Sequence, residues 1–122
     1  MRRRMLRIAC FCALLAACSN SDDLSGDWIG TWTGGGGGTV TESLSQSGDQ
    51  VTGTATFTGS PCWNAATLSL VVAGNNLSGS GLAGAIRVDM SATWTDDHID
   101  GTFESVSGAC IGTGTFALDR SD

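Results

Sequence analysis

From Gly26 to Arg120, apolar residues alternate with small polar ones, and nowhere do they recur at the three-and-four spacing of a helix. The alternating runs are rich in Thr, Val, Ile and aromatic residues and are broken by clusters of Gly, Asn and Asp, which is how strands and turns are written. Eight strands are predicted, over 26–33, 39–46, 50–58, 66–72, 77–82, 85–95, 98–105 and 110–119. Eight is the number that closes a small antiparallel barrel, so the expected fold is all-β: an eight-stranded, antiparallel, up-and-down barrel, round or flattened.

The tight turns carry a weak repeat. Gly48-Asp49-Gln50 leads into Val51-Thr52-Gly53-Thr54, Gly74-Asn75-Asn76 into Leu77-Ser78-Gly79-Ser80, and Asp96-Asp97-His98 into Ile99-Asp100-Gly101-Thr102, at spacings of 26 and 22 residues. In a meander these three turns fall at one end of the barrel. The opposite end collects Gly34–Gly38, the loop from Gly59 to Asn64, Leu82–Ala85 and Ser105–Cys110.

Alternation also assigns faces, because successive side chains point to opposite sides of a strand. Trp28-Gly30-Trp32, Val40-Glu42-Leu44, Val51-Gly53-Ala55-Phe57, Leu68-Leu70-Val72, Ile86-Val88-Met90-Ala92-Trp94, Ile99-Gly101-Phe103 and Gly112-Gly114-Phe116-Leu118 should face inward. The other face is mainly Thr, Ser and Asp, as solvent requires. Inward glycines at 30, 53, 79, 101 and 114 would admit large rings or let strands bend, so the interior is expected to be mostly filled, with at most a small cavity.

Residues 1–17 differ in kind. Arg2, Arg3, Arg4 and Arg7 form a basic head, and Ile8–Ala17 is an uninterrupted apolar run, the layout of an export signal. The run is well short of the roughly 20 residues a spanning helix needs. Leu15-Ala16-Ala17-Cys18 resembles the lipobox of bacterial lipoproteins. The resemblance implies cleavage before Cys18, acylation of that cysteine and a membrane held through the lipid, and Ser19 in second place implies sorting to the outer membrane of the cell envelope. The competing reading is an ordinary small-residue cleavage site that happens to precede a cysteine. The expected organisation is a signal peptide over 1–17, a lipidated start and polar tether over 18–25, and one barrel domain over 26–120.

With the signal removed, Cys10 and Cys12 leave and Cys18 takes the lipid, so Cys62 and Cys110 remain to pair in an oxidising compartment. Their loop of 49 residues, both ends counted, would stabilise the domain by roughly 4 kcal/mol on the chain-entropy model. A metal site or a reactive thiol is the alternative, though no histidine lies near either. Across an eight-stranded circle the two loops are opposite, so the bridge requires a flattened barrel or a loop folded over the mouth. From Cys18 onward two arginines face twelve carboxylates, a formal net charge of −10. That excludes nucleic acid as a partner, because neutralising phosphate needs clustered Lys and Arg.

Gly26-Asp27-Trp28 is similar to the Gly-x-Trp of the first strand in calycins, the group of lipocalins and avidins; Gly30-Thr31-Trp32 and Val51-Thr52-Gly53-Thr54 resemble avidin strands. The likeness implies a lipocalin- or avidin-like barrel in which an arginine from the end of the chain, here Arg120, packs over Trp28. It does not carry biotin binding. The avidin ligand shell is polar and includes a tyrosine, whereas the matching regions here read Thr33-Gly34-Gly35 and Ala55, and the chain has no tyrosine.

Glu42 is the one carboxylate on an apolar strand face, and a buried carboxylate must be paired or protonated. It is read either as a ligand contact inside the barrel or as a group that pairs with Arg120, emerges at a rim or sits on a slipped register. Asp96, Asp97, His98 and Asp100 read as solvated turn chemistry, since alternation sends Asp97 away from His98 and Asp100; no metal is expected. Gly34–Gly38 joins two strands without a following lysine and reads as a flexible loop, so no phosphate or other cofactor is expected there. Trp63 is either a plug over the disulfide or a recognition residue. One histidine in a turn and two bridged cysteines assemble no nucleophile set, so catalysis is not expected. Two functions remain: a lipid-anchored interaction or structural module meeting an envelope protein, or a carrier of a small apolar ligand. The carrier needs an apolar cavity touching Trp32, Glu42, Phe57, Met90 and Trp94.

Overall fold

The computed structural model describes residues 23–60, 62–106 and 112–121. Eight strands follow one another: β1 (Gly26–Thr33), β2 (Gly37–Ser47), β3 (Gln50–Phe57), β4 (Ala65–Ala73), β5 (Asn76–Ala83), β6 (Ile86–Trp94), β7 (His98–Ser105) and β8 (Gly112–Arg120). Each pairs antiparallel with its neighbour in the chain, and β1 pairs with β8, closing the barrel with no free edge. The expected all-β up-and-down barrel is the fold. Gly48 and Gly74 sit at φ 63° in the two-residue turns between β2 and β3 and between β4 and β5, where a left-handed residue matches the twist of the strands.

β2 starts two residues earlier than alternation placed it. Gly37 and Gly38 pair with Thr33 and Trp32 instead of looping out, and a Cβ on Gly38 would stand 2.2 Å from the Thr58 carbonyl oxygen. Residues without side chains leave no alternation to read, so a close backbone approach looked like a flexible run. At the other boundary, β8 was expected from 110, and 110 and 111 lie outside the described residues.

Burial alternates along β1 to β5 as the inward faces require. On β7 and β8 the inward glycines serve rings across the barrel wall: a Cβ on Gly101 would meet the Phe116 ring at 2.6 Å, and one on Gly114 the Phe103 ring at 2.4 Å. The outer face carries Thr, Ser and Asp, with hydroxyl pairs across strands such as Thr33 with Thr115 at 3.0 Å.

The end that holds the three tight turns is sealed. Leu24 is 0 % and Trp28 1 % exposed, and with Leu44, Val51, Leu70, Leu77, Ile99 and Leu118 they fill that half of the interior. The Arg120 guanidinium lies 4.4 Å from the centre of the Trp28 ring, the contact that the calycin resemblance implies. Its three nitrogens donate to the carbonyls of Asp96, Ser25 and Asp23, each at 2.8 Å, while the Trp28 indole donates to the Leu24 carbonyl at 3.0 Å. Asp23–Ser25, within the stretch expected to be a tether, is therefore bonded to the barrel. Leu24 alone turns inward there, and one apolar residue in a polar stretch carries no period to detect.

Candidate functional site

The opposite, open end is built differently. Its inward side chains are large rings set at the ends of strands: Trp32 near the end of β1, Phe57 at the end of β3 and Phe103 in the last turn-facing half of β7. Into the space between them comes Trp63, from the loop that joins β3 to β4. Ser60 shapes that loop, its hydroxyl accepting the backbone N–H of Cys62 at 3.1 Å and of Trp63 at 3.2 Å, and the Phe57 N–H donates to the Asn64 carbonyl at 2.9 Å. Trp63 is thereby laid over the mouth, with ring centres 6.2 Å from Trp32, 6.4 Å from Phe57 and 6.3 Å from Phe103, mostly edge to face. Trp63 packs on these rings; whether it also covers the disulfide depends on Cys110, outside the described residues. Among the described residues Trp63 reaches from the β3–β4 loop to β7, across part of this end. Cys62 is disulfide-bonded; Cys110, its expected partner, lies outside the described residues, as does Cys18.

Beneath Trp63 lies a cavity of about 30 Å³, bounded by Trp32, Glu42, Phe57, Met90, Phe103 and Phe116 among others. A space of that size holds roughly two waters or two other heavy atoms. Glu42 is the one ionisable residue along it, and the surface it presents there is apolar. The residue is 9 % exposed, its cross-strand neighbours are Trp28 and Ala55, and its carboxylate has no hydrogen bond or ion pair among the described residues. Burial alone pushes its pKa up from 4.5 to about 7. Three readings of Glu42 are set aside by this placement. Arg120 is committed to backbone carbonyls and the Trp28 ring, the side chain is not at a rim, and the register is the one alternation predicts.

Four of the five expected ligand contacts, Trp32, Glu42, Phe57 and Met90, share the cavity; Trp94 does not. It stands at the far end of β6, where its indole donates to the Gly74 carbonyl at 3.1 Å and its own carbonyl accepts from the Asn75 side chain at 2.9 Å. Alternation fixes which face a residue takes but says nothing of its height along the barrel. Height could have been counted from the tight turns: Trp94 is two residues from the one at 96–97, while Phe116, opposite Trp32 in register, falls at cavity level. Phe103 and Phe116 were placed on the inner face without being recognised as cavity walls.

On the outside of the sealed end, His98 lies between two carboxylates, with Nδ1 2.6 Å from Asp119 and Nε2 2.8 Å from Asp100. The Asp119 hydrogen bond raises its pKa above 6.5; burial opposes it, and the hydrogen bond and charge of Asp100 add to the rise. Asp96 and Asp97 are not part of this arrangement, and among the described residues no group of three or more His, Cys, Asp or Glu is placed to hold a metal ion. No family model matches the chain, and no curated protein does.

Proposed function

We propose that this is a lipid-anchored protein of a bacterial cell envelope, a calycin-like barrel carried on Cys18 that works by binding at its open end and performs no chemistry. The observation that carries the reading is the difference between the two ends, taken with where the chain enters. Cys18 is five residues from Asp23, which reaches roughly 18 Å at full extension, and Asp23–Ser25 crosses the sealed end. A lipid on Cys18 therefore puts the sealed end toward the bilayer and Trp63 away from it. The polar outer wall supports a barrel that stands on a membrane, since one that crosses it needs an apolar outer belt. Asp27, Asp96, Asp97 and Asp119 at the sealed end would hold it off anionic headgroups, on its tether.

A carrier of apolar ligands is the weaker reading. Such ligands occupy pockets of about 300–1,000 Å³, and the cavity here, though apolar, has about 30 Å³. The anchor is tested by fractionating cells that express the full chain and its Cys18→Ala variant, with mass measurement of the mature N-terminus. The expected result is an acylated, membrane-bound wild type and a soluble or uncleaved variant. Membrane retention of a processed, unacylated variant would overturn the anchor.

A further inference from the structure

The outer wall of the barrel is divided. Its charged side chains stand on β1 and on β6 to β8, where Asp27, Arg87, Asp89, Asp100, Glu104 and Asp119 point outward. From β2 to β5 no outward side chain is charged, and Glu42, the one charged residue of these four strands, points inward. Asp49 lies in the turn below them, at the sealed end. A chain with a formal net charge of −10 from Cys18 onward thus keeps four neighbouring strands of its wall free of that charge. The middle of this face is also its least polar part. On β4 Ala65, Thr67, Ser69 and Val71 are exposed, and Leu82 of β5 stands across from Thr67. Val71 is 42 % and Leu82 55 % exposed. The hydroxyls at the edge of the face are paired within the wall, Thr41 with Thr56 and Thr39 with Thr58, which lowers the cost of drying it.

We propose that two copies of this protein pair side by side on the membrane, each covering the other's β4 and β5. The proposal goes beyond the reading of the open end and rests only on the anchor. Charge selects the occupant, because two polyanions can approach closely only where neither carries charge. A basic partner would be drawn to β6 to β8 instead. A second copy brings the same strip of Ala, Ser, Thr and Val, short enough for two sheets to stack at about 10 Å. A two-fold axis parallel to the barrels keeps both sealed ends, and so both lipids, on one side, as a single bilayer requires. Strands tilted by roughly 40° then cross near a right angle, one of the two ways sheets pack. Four strands about 5 Å apart give a face of roughly 20 by 25 Å, less than the ~800 Å² that each partner in a stable complex buries. The pair is therefore weak in solution and forms where lipid confines the copies to a surface.

The test uses the acylated full chain in phosphatidylcholine vesicles, with the photo-crosslinker benzoylphenylalanine in place of Thr54, beside Thr67 on the uncharged face, or of Thr102 on the opposite wall. Irradiation should give a covalent dimer from the first position and little from the second. Val71→Asp sets a carboxylate against the partner and should lower the dimer yield about tenfold or more. Raising salt from about 20 mM to about 300 mM should increase the yield, because it screens the repulsion between two polyanions and meets no ion pair in the contact. The two probe positions and the salt series carry the same test should Val71→Asp fail to fold. No dimer from the Thr54 position, equal yields from both positions, an undiminished yield from folded Val71→Asp, or a yield that falls with salt would each overturn the proposal. A chain acylated on Cys18 that stays single on the vesicle sinks this inference and leaves the anchor standing; an unacylated chain that pairs through this face in concentrated solution does the reverse.

Discussion

The two halves of this barrel are built from the same kind of strand and finished in opposite ways. At the sealed end the one arginine makes three hydrogen bonds and stacks on Trp28, and aliphatic side chains fill the space beneath to near-zero exposure. At the other end Phe57, Trp63, Met90, Phe103 and Phe116 are only partly buried, an apolar-walled cavity remains, and Glu42 stands beside it with no hydrogen bond or ion pair among the described residues. Close packing with satisfied polar groups is what stability selects. The half that departs from both holds a carboxyl whose burial raises its pKa to about 7, so near neutral pH part of the cost of burying it is met by a proton.

The sharpest way to break this contrast is to remove one tryptophan from each end. Trp28→Ala deletes a fully buried ring together with the platform for Arg120, and should lower the free energy of unfolding by about 4 kcal/mol. Trp63→Ala removes a half-buried ring from a loop and should cost on the order of 1 kcal/mol. Urea denaturation of both variants measures the difference directly. Equal losses would mean that the open end is as much a part of the stabilising core as the sealed one.

Glu42 gives the next largest effect, with a sign opposite to that of most carboxylates. Its folded pKa is raised from 4.5 to about 7, so the stability it contributes is whole below about pH 4.5, falls as pH rises, and is gone once the pH passes 7. Over that window the protein loses up to about 3 kcal/mol, the equivalent of a shift of roughly two and a half pKa units in a well-buried group. Glu42→Gln keeps the shape and drops the charge. It should be more stable than wild type by up to that amount at pH 8 and indistinguishable from it at pH 4. Wild-type stability that is flat from pH 4 to pH 8 would show that Glu42 is already neutralised.

These residues also mark where the sequence can and cannot be read. Alternation was enough to close the barrel and to put Trp28, Trp32, Glu42 and Phe57 inside, because facing is a property of every second residue and is repeated along each strand. The Arg120 contact on Trp28 was legible only through the family likeness, since 92 residues separate the two in the chain. What the pattern could not carry was anything without a period. Leu24 enters the core singly from a polar stretch, Gly37 and Gly38 have no side chains to alternate, and Trp94 and Phe116 share a face while standing at different heights. The site was half found for this reason: its residues were on the correct face, and which of them meet depends on register.

The smallest effect lies on the surface of the sealed end and tests whether its polar groups are as fully partnered as the contrast requires. His98 is the only histidine in the chain, so its ring protons are unambiguous in a proton NMR titration. Asp119 and Asp100 favour its charged form, and the midpoint should therefore lie above 6.5. Asp119→Asn should bring it back further than Asp100→Asn does, since the Asp119 hydrogen bond is the larger cause. A raised histidine pKa means stability that is whole below about 6.5 and lost as pH climbs through the folded value, the same sign as Glu42. The two are separated by measuring in the Glu42→Gln background, where the residual slope above pH 6 belongs to His98 and should be slight because the pair is open to solvent. A midpoint at 6.5 that ignores both Asn substitutions would mean that the β7–β8 carboxylates do not hold the ring, and that the outer surface of the sealed end is no better satisfied than the cavity at the other.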